Sequence, residues 1–178
     1  MGYQPIQPID FSHKLHASDL GIDCMFCHNM AESTAQAGVP PTQTCMNCHE
    51  QQANKQRPTL ARLMRSWDDG GAEGLPIPWV RIHKVPDYGY FDHSAHISAG
   101  VGCKSCHGDV QKMEVISQRE PLSMGWCLSC HRDPKDHLRP VHEVTNMDYH
   151  QSESFKMMAI KRAESLNAPV LNCSGCHR

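Results

Sequence analysis

Every one of the ten cysteines in this 178-residue sequence belongs to the same five-residue word. The word is C-x-x-C-H, and it occurs at Cys24-Met25-Phe26-Cys27-His28, Cys45-Met46-Asn47-Cys48-His49, Cys103-Lys104-Ser105-Cys106-His107, Cys127-Leu128-Ser129-Cys130-His131 and Cys173-Ser174-Gly175-Cys176-His177. That spacing suits one chemistry above others. Two thiols add across the two vinyl groups of a haem and fix the porphyrin on the chain, and the adjacent histidine reaches the iron from one face. A zinc ribbon or a redox dithiol needs no histidine after every second cysteine. A disulfide framework would not repeat one word. The sequence therefore predicts five covalent c-type haems anchored by Cys24, Cys27, Cys45, Cys48, Cys103, Cys106, Cys127, Cys130, Cys173 and Cys176. His28, His49, His107, His131 and His177 are the expected proximal iron ligands.

Five porphyrins change what the chain must do to fold. Hydrophobic residues make up 39% of it and aromatics 6%, which is thin for an ordinary core of this length. Porphyrins are large apolar plates on which side chains can pack instead of on one another. Twelve prolines and twelve glycines agree with a chain that wraps cofactors more than it builds regular layers. The expected fold class is mainly irregular with short α-helices. A net charge of −2 describes the polypeptide alone, and haem propionates would make the whole more acidic. No basic patch suits nucleic acid. No stretch approaches the ~20 apolar residues of a membrane span, and no signal peptide is evident. Haem attachment to C-x-x-C-H takes place outside the cytoplasm. The expectation is thus that an export signal or anchor preceded Met1, and that the protein works on the periplasmic side of a bacterial inner membrane.

The chain contains a duplication. Phe11-Ser12-His13-Lys14-Leu15-His16 is followed by Gly21-Ile22-Asp23 and Cys24; Phe91-Asp92-His93-Ser94-Ala95-His96 is followed by Gly100-Val101-Gly102 and Cys103. Each F-x-H-x-x-H unit leads to one haem site and then to a proline-led second site, after Pro40-Pro41 and after Pro121. This predicts a dihaem module over 1–58, a linker over 59–90, a second dihaem module over 91–145, and a C-terminal helix with the fifth haem site over 146–178. Leu60, Leu63, Met64 and Trp67 have helical spacing, so 59–67 is expected to be a short helix stopped by Asp69-Gly70-Gly71. Pro76-Ile77-Pro78-Trp79 reads as an extended connector. A helix is expected from Ser152 to Leu166, capped by Ser152 or Ser154, with Phe155, Met158 and Ala159 as its apolar face and Asn167 and Pro169 ending it.

Eight histidines lie outside the attachment words: His13, His16, His83, His93, His96, His137, His142 and His150. The i, i+3 spacing inside each F-x-H-x-x-H places both imidazoles on one face of a helical turn. His13 is expected to serve the iron of His28, and His93 that of His107, while His16 and His96 reach across to other haems and stitch the modules together. His83, fixed by Pro86 shortly after it, is the fifth expected distal ligand. His137, His142 and His150 lack a repeated context and are read as non-ligands. The ten methionines are read as packing residues. Five bis-histidine, low-spin irons would have no open position for a substrate. Arg81, Lys84, Lys104 and Arg132 are the candidates for pairing with propionates.

Beyond the haem words the chain resembles a known family. The residues that carry the resemblance are Gln7-Pro8-Ile9-Asp10-Phe11-Ser12-His13-Lys14-Leu15-His16-Ala17, Gly21-Ile22-Asp23-Cys24, Pro40-Pro41-Thr42-Gln43-Thr44-Cys45-Met46-Asn47-Cys48-His49, Val85-Pro86-Asp87-Tyr88-Gly89-Tyr90-Phe91-Asp92-His93-Ser94-Ala95-His96, Pro121-Leu122-Ser123-Met124-Gly125-Trp126-Cys127 and Val144-Thr145-Asn146-Met147. They are similar to the pentahaem, class III-like cytochrome c subunit of bacterial alternative complex III, a quinol:electron-acceptor oxidoreductase. The resemblance implies bis-histidine ligation and a non-enzymatic relay role. Its implied partners are an integral membrane quinol-oxidising subunit, an iron–sulfur (molybdopterin-like) subunit that delivers electrons, and a monohaem cytochrome c subunit or soluble acceptor that receives them. The chain departs from the family at its start, where a membrane helix usually precedes the Gly-Tyr region. Two other readings compete: a free periplasmic multihaem shuttle, and a multihaem enzyme, which would require a five-coordinate iron.

Overall fold

In a computed structural model, residues 1–50, 57–70, 74–165 and 170–177 are described. Among them helices are short, strands are absent, and most of the backbone is irregular; two isolated antiparallel bridges, Gly89 with His177 and Val101 with Leu138, are the extended pairings. The helical pieces are set by local signals. Pro41 leads into Thr42–His49, whose buried Thr42 donates its hydroxyl to Leu75 O (2.5 Å). A 3₁₀ turn at Pro58–Leu60 runs into Ala61–Asp69. Leu63 and Met64 face inward there, as their spacing predicts, with Trp67 and Leu60 packed beside them. Gly70 caps this helix; Gly71 lies outside the described residues.

Asp92 caps His93–Ala99 by accepting from Ser94 N (2.8 Å) and Ala95 N (3.4 Å), and Gly100, at φ 85°, ends it in the left-handed conformation. The C-terminal helix runs Glu153–Ser165, with Phe155 N donating to the Ser152 hydroxyl (3.2 Å). Ala159 is its buried residue and Phe155 is half-buried, but Met158 is 59% exposed, so the apolar face is narrower than the sequence suggests. Asn167 and Pro169 lie outside the described residues.

Two small clusters hold the chain. Ile9, Met46, Leu63 and Met64, with Trp67, Ile77 and Trp79 alongside, form the first, so part of the connecting segment is folded into the first half. Ala31, Ile97 and Val144 form the second, and draw on both halves. The halves also clasp each other reciprocally. Lys14, one residue after His13, donates its N–H to Met113 O (3.0 Å), six residues after His107. Ser94, one residue after His93, donates to Thr34 O (3.2 Å), six residues after His28. The sequence repeat is thus a spatial one. Each F-x-H-x-x-H turn rests on the loop that follows the other half's first C-x-x-C-H word.

Candidate haem-attachment and ligand sites

The attachment words all fall on helical turns. His28 N–H donates to Cys24 O (2.9 Å), His107 to Cys103 O (3.0 Å) and His177 to Cys173 O (2.8 Å); the other two words end the helices Thr42–His49 and Met124–Arg132. A helical turn puts residues i, i+3 and i+4 side by side, so both thiols and the imidazole project from one face. Caps hold several of these turns. Met25 N donates to Asp23 Oδ1 (2.8 Å), Trp126 N to the Ser123 hydroxyl (3.4 Å), and Gly175 N to Asn172 Oδ1 (2.9 Å).

No disulfide joins any of the ten cysteines. Burial pushes the Cys106 thiol up to about 12 and raises those of Cys27, Cys45, Cys127 and Cys130. Zinc is bound by thiolates, and burial opposes that form. Among the described residues no group of three or more His, Cys, Asp or Glu side chains surrounds a single ion. Thiols in separate pairs, each with its histidine, suit covalent porphyrin attachment instead.

Nδ1 donates to a backbone carbonyl in six of the ten expected ligands. The acceptors are Ser12 O for His16 (2.8 Å), Gly38 O for His28 (2.8 Å), Ala35 O for His93 (2.9 Å), Asp92 O for His96 (2.7 Å), Val170 O for His131 (3.0 Å) and Tyr88 O for His177 (3.2 Å). A proton held on Nδ1 leaves the Nε2 lone pair for a metal. Two imidazoles on opposite faces of one iron have ring centres about 6 Å apart, given bonds of about 2 Å and the ring radii. His16 and His49 stand at 6.1 Å, His96 and His131 at 6.0 Å, and His93 and His107 at 6.4 Å with ring planes 13° apart. In each repeat Phe11 or Phe91 stacks on the second histidine (4.4 and 4.6 Å) and meets the first edge-on (4.9 and 4.8 Å). The repeated phenylalanine thus sets the two imidazoles apart.

The rings of His16 and His96 face the histidine of the second attachment word of their own half, whereas the expectation had them reach across to the other module. What joins the halves is the reciprocal backbone clasp. Around the seam, His13, His28, His83, His93 and His107 gather. Burial, reinforced by His28 and His16, holds His13 down to about 4. Burial, reinforced by His83, His93, His28 and His13, holds His107 down to about 3. Burial also lowers His49, His83 and His96. Such imidazoles are neutral at pH 7, the form that binds iron.

His83 lies edge-on to His107 at 4.3 Å, closer than a shared iron would allow, and its Nε2 is buried without a hydrogen-bond partner. Two expected distal ligands thus sit beside one proximal histidine. The ring facing His177 is Tyr88, stacked at 5.7 Å. His137 lies in the 3₁₀ turn Lys135–His137, while His142 and His150 are exposed.

Of the cations expected at propionates, Lys104 pairs with Asp109 (2.7 Å), Lys84 with Asp87 (3.7 Å), and Arg81 donates to Gln36 Oε1 (3.2 Å), while Arg132 is exposed. The residue that sequence reasoning missed is Arg139. It is buried, its Nη1 donates to Asn146 O (2.7 Å), and its guanidinium lies 5.2 Å from the Tyr149 ring centre. A Cβ at Gly102, next to Cys103, would collide with that guanidinium. The one sequence trace of this packing is the Gly100-Val101-Gly102 run before the third attachment word.

Residues 2–70 match the class III cytochrome c family. Across 98% of its length the chain is 31% identical to a menaquinone reductase multiheme cytochrome c subunit from Nitratidesulfovibrio vulgaris, and the match covers 78% of that protein.

Proposed function

Because the chain belongs to the family of class III multihaem cytochromes c, a family of electron carriers with covalent haem, we propose that it holds five haems and relays electrons within a quinone-linked membrane complex. The anchors are the five cysteine pairs, and His28, His49, His107, His131 and His177 are the proximal ligands. His16 with His49, and His96 with His131, would each hold one iron. His93 faces His107. His13 is assigned to the iron of His28, near which it is buried, and His83, beside His107, is the fifth distal candidate. The observation that carries this reading is the pair of 6 Å imidazole arrangements, His16 with His49 and His96 with His131, repeated in the two halves.

Held by two of the chain's own imidazoles, an iron would have no site for a substrate and would exchange electrons alone. The role is therefore a relay rather than catalysis. Its proposed neighbours are an iron–sulfur subunit on one side and a monohaem cytochrome or soluble acceptor on the other, on the periplasmic face of a membrane that holds a quinol-oxidising subunit. A second reading has electrons flowing the other way, towards menaquinone, and it is favoured by the name of the N. vulgaris relative. A free periplasmic shuttle is the third.

Pyridine haemochrome stoichiometry with electron paramagnetic resonance of the oxidised protein tests the first reading. Five haems per chain, all low-spin, are expected; fewer haems, or a substantial high-spin signal, would count against it. Adding menaquinol or menaquinone to native membranes distinguishes the directions, since one reduces the haems and the other reoxidises them. Recovery as a single chain free of the membrane fraction would favour the shuttle.

A further inference from the structure

We infer that the five attachment words stand in space in the order second, first, third, fourth, fifth, so that the electron path ends at the Cys45–His49 word on one side and at the Cys173–His177 word on the other. The inference rests on the five-haem reading above and adds the order of the path to it.

The middle of the order is the seam between the halves. Thr145 donates its hydroxyl to Asp23 Oδ2 (2.8 Å), and Cys103 N–H donates to Val144 O (3.0 Å), so the chain around 144–145 ties the first residue of one attachment word to the doorstep of the other. The tie thus joins the approach to Cys24 with Cys103. These are equivalent positions in the two repeats, each the first cysteine of its half. With the reciprocal contacts Lys14 N to Met113 O and Ser94 N to Thr34 O, they place the first and third words back to back across a local pseudo-twofold relation.

The second and fourth words lie outward of this pair in equivalent positions. Ile22 N donates to His16 O (3.0 Å) and Val101 N to His96 O (2.9 Å), which fixes each of these histidines at the approach to the first word of its half. The histidine pairs repeat the relation. His16, from the turn that leads to the first word, faces His49 of the second, and His96, from the turn that leads to the third, faces His131 of the fourth.

The fifth word continues from the fourth. His131 Nδ1 donates to Val170 O (3.0 Å) just ahead of the fifth word. Tyr90 N donates to Cys176 O (2.6 Å) and His177 Nδ1 to Tyr88 O (3.2 Å), which fastens the fifth word to the approach of the second repeat. Exposure agrees with this order. Cys48 of the second word and Cys173 of the fifth are the exposed cysteines, and the other eight are half-buried. Terminal sites open to solvent are where partners can reach within electron-transfer distance.

Path order therefore differs from sequence order, because duplication placed the first site of each half at the centre. The test is to locate the irons in crystals of the full haem-loaded protein by anomalous scattering and to trace each to its attachment word. The expected result is five irons in a single file, with those of the Cys24–His28 and Cys103–His107 words in the middle and those of Cys45–His49 and Cys173–His177 at the ends. Five irons in sequence order, or in a branched arrangement, would overturn the inference and leave the five-haem reading intact. Fewer than five irons would overturn that reading itself.

Discussion

An imidazole serves iron best when one nitrogen is committed elsewhere and the ring is aimed, and at His96 the chain does both. At His96, Nδ1 is bound to Asp92 O (2.7 Å) and Phe91 stacks on the ring (4.6 Å), so Nε2 is left pointing at His131. Replacing His96 by methionine keeps a ligand but exchanges a strong nitrogen donor for a thioether, which favours ferrous iron. The H96M protein should lose one bis-histidine signal of five, and one midpoint potential should rise by on the order of 100 mV, within the ~0.8 V that axial ligands span. Paramagnetic resonance with a potentiometric titration checks this; an unchanged set of midpoints would remove His96 from the ligand list.

Acid stability follows from the same burial. In the unfolded chain histidine takes a proton near pH 6.5, while burial in the polypeptide fold alone holds His13 and His107 down to about 4 and about 3, and iron on Nε2 would hold them lower still. Above pH 6.5 both states are neutral and these groups add no pH dependence. As pH falls below 6.5 the unfolded chain binds protons that the fold refuses, so the fold loses stability progressively down to about pH 4 and below. Denaturant unfolding at pH 7, 6 and 5 should show a falling midpoint, while the low-spin spectrum of the folded protein should hold constant over that range.

At the scale of elements, short helices need sharp ends. Gly100 closes His93–Ala99 at φ 85°, and a Cβ there would also collide with Arg139 O. Gly100→Ala combines left-handed strain with that collision and should cost more than about 1 kcal/mol, read as a lower midpoint in urea. The two glycines before Cys103 could be noticed in the sequence, but not that the backbone and side chain of Arg139 fill the space beside them, since that partner lies far along the chain. Elements governed by local signals were legible. The helix at Ala61–Asp69 follows from Leu60, Leu63, Met64 and Trp67, and the C-terminal helix follows from the Ser152 cap.

The attachment words were legible because covalent chemistry fixes their spacing, and the F-x-H-x-x-H units because they occur twice. Their partners were less so. Periodicity places His13 and His16 on one face, yet it cannot say that the turn they belong to is a π-helical one, Lys14–Asp19, or that His16 looks towards His49. His83 was singled out by its context, but its position against His107 depends on how the connecting segment folds back.

For the whole molecule the question is whether two repeated halves behave as one cooperative unit. The side-chain core is small, and its two clusters contribute differently. Ile9, Met46, Leu63 and Met64 belong to the first half and its connecting segment, so they cannot couple the halves. Ile97 and Val144 meet Ala31 from the other half, beside the backbone clasp from Lys14 to Met113 and from Ser94 to Thr34. If the halves fold as one, removing side chain from this shared cluster must weaken all of the protein together. Ile97→Ala takes three carbons from a site that is 7% exposed, and should cost about 2–4 kcal/mol. In denaturant the expected result is a single transition, displaced as a whole and followed identically by helical circular dichroism and by the haem spectrum. Should the halves be independent, the same substitution would split the curve, one part shifting while the other stays in place. That split would mean that the reciprocal clasp brings the first and third attachment words together without making their stability common.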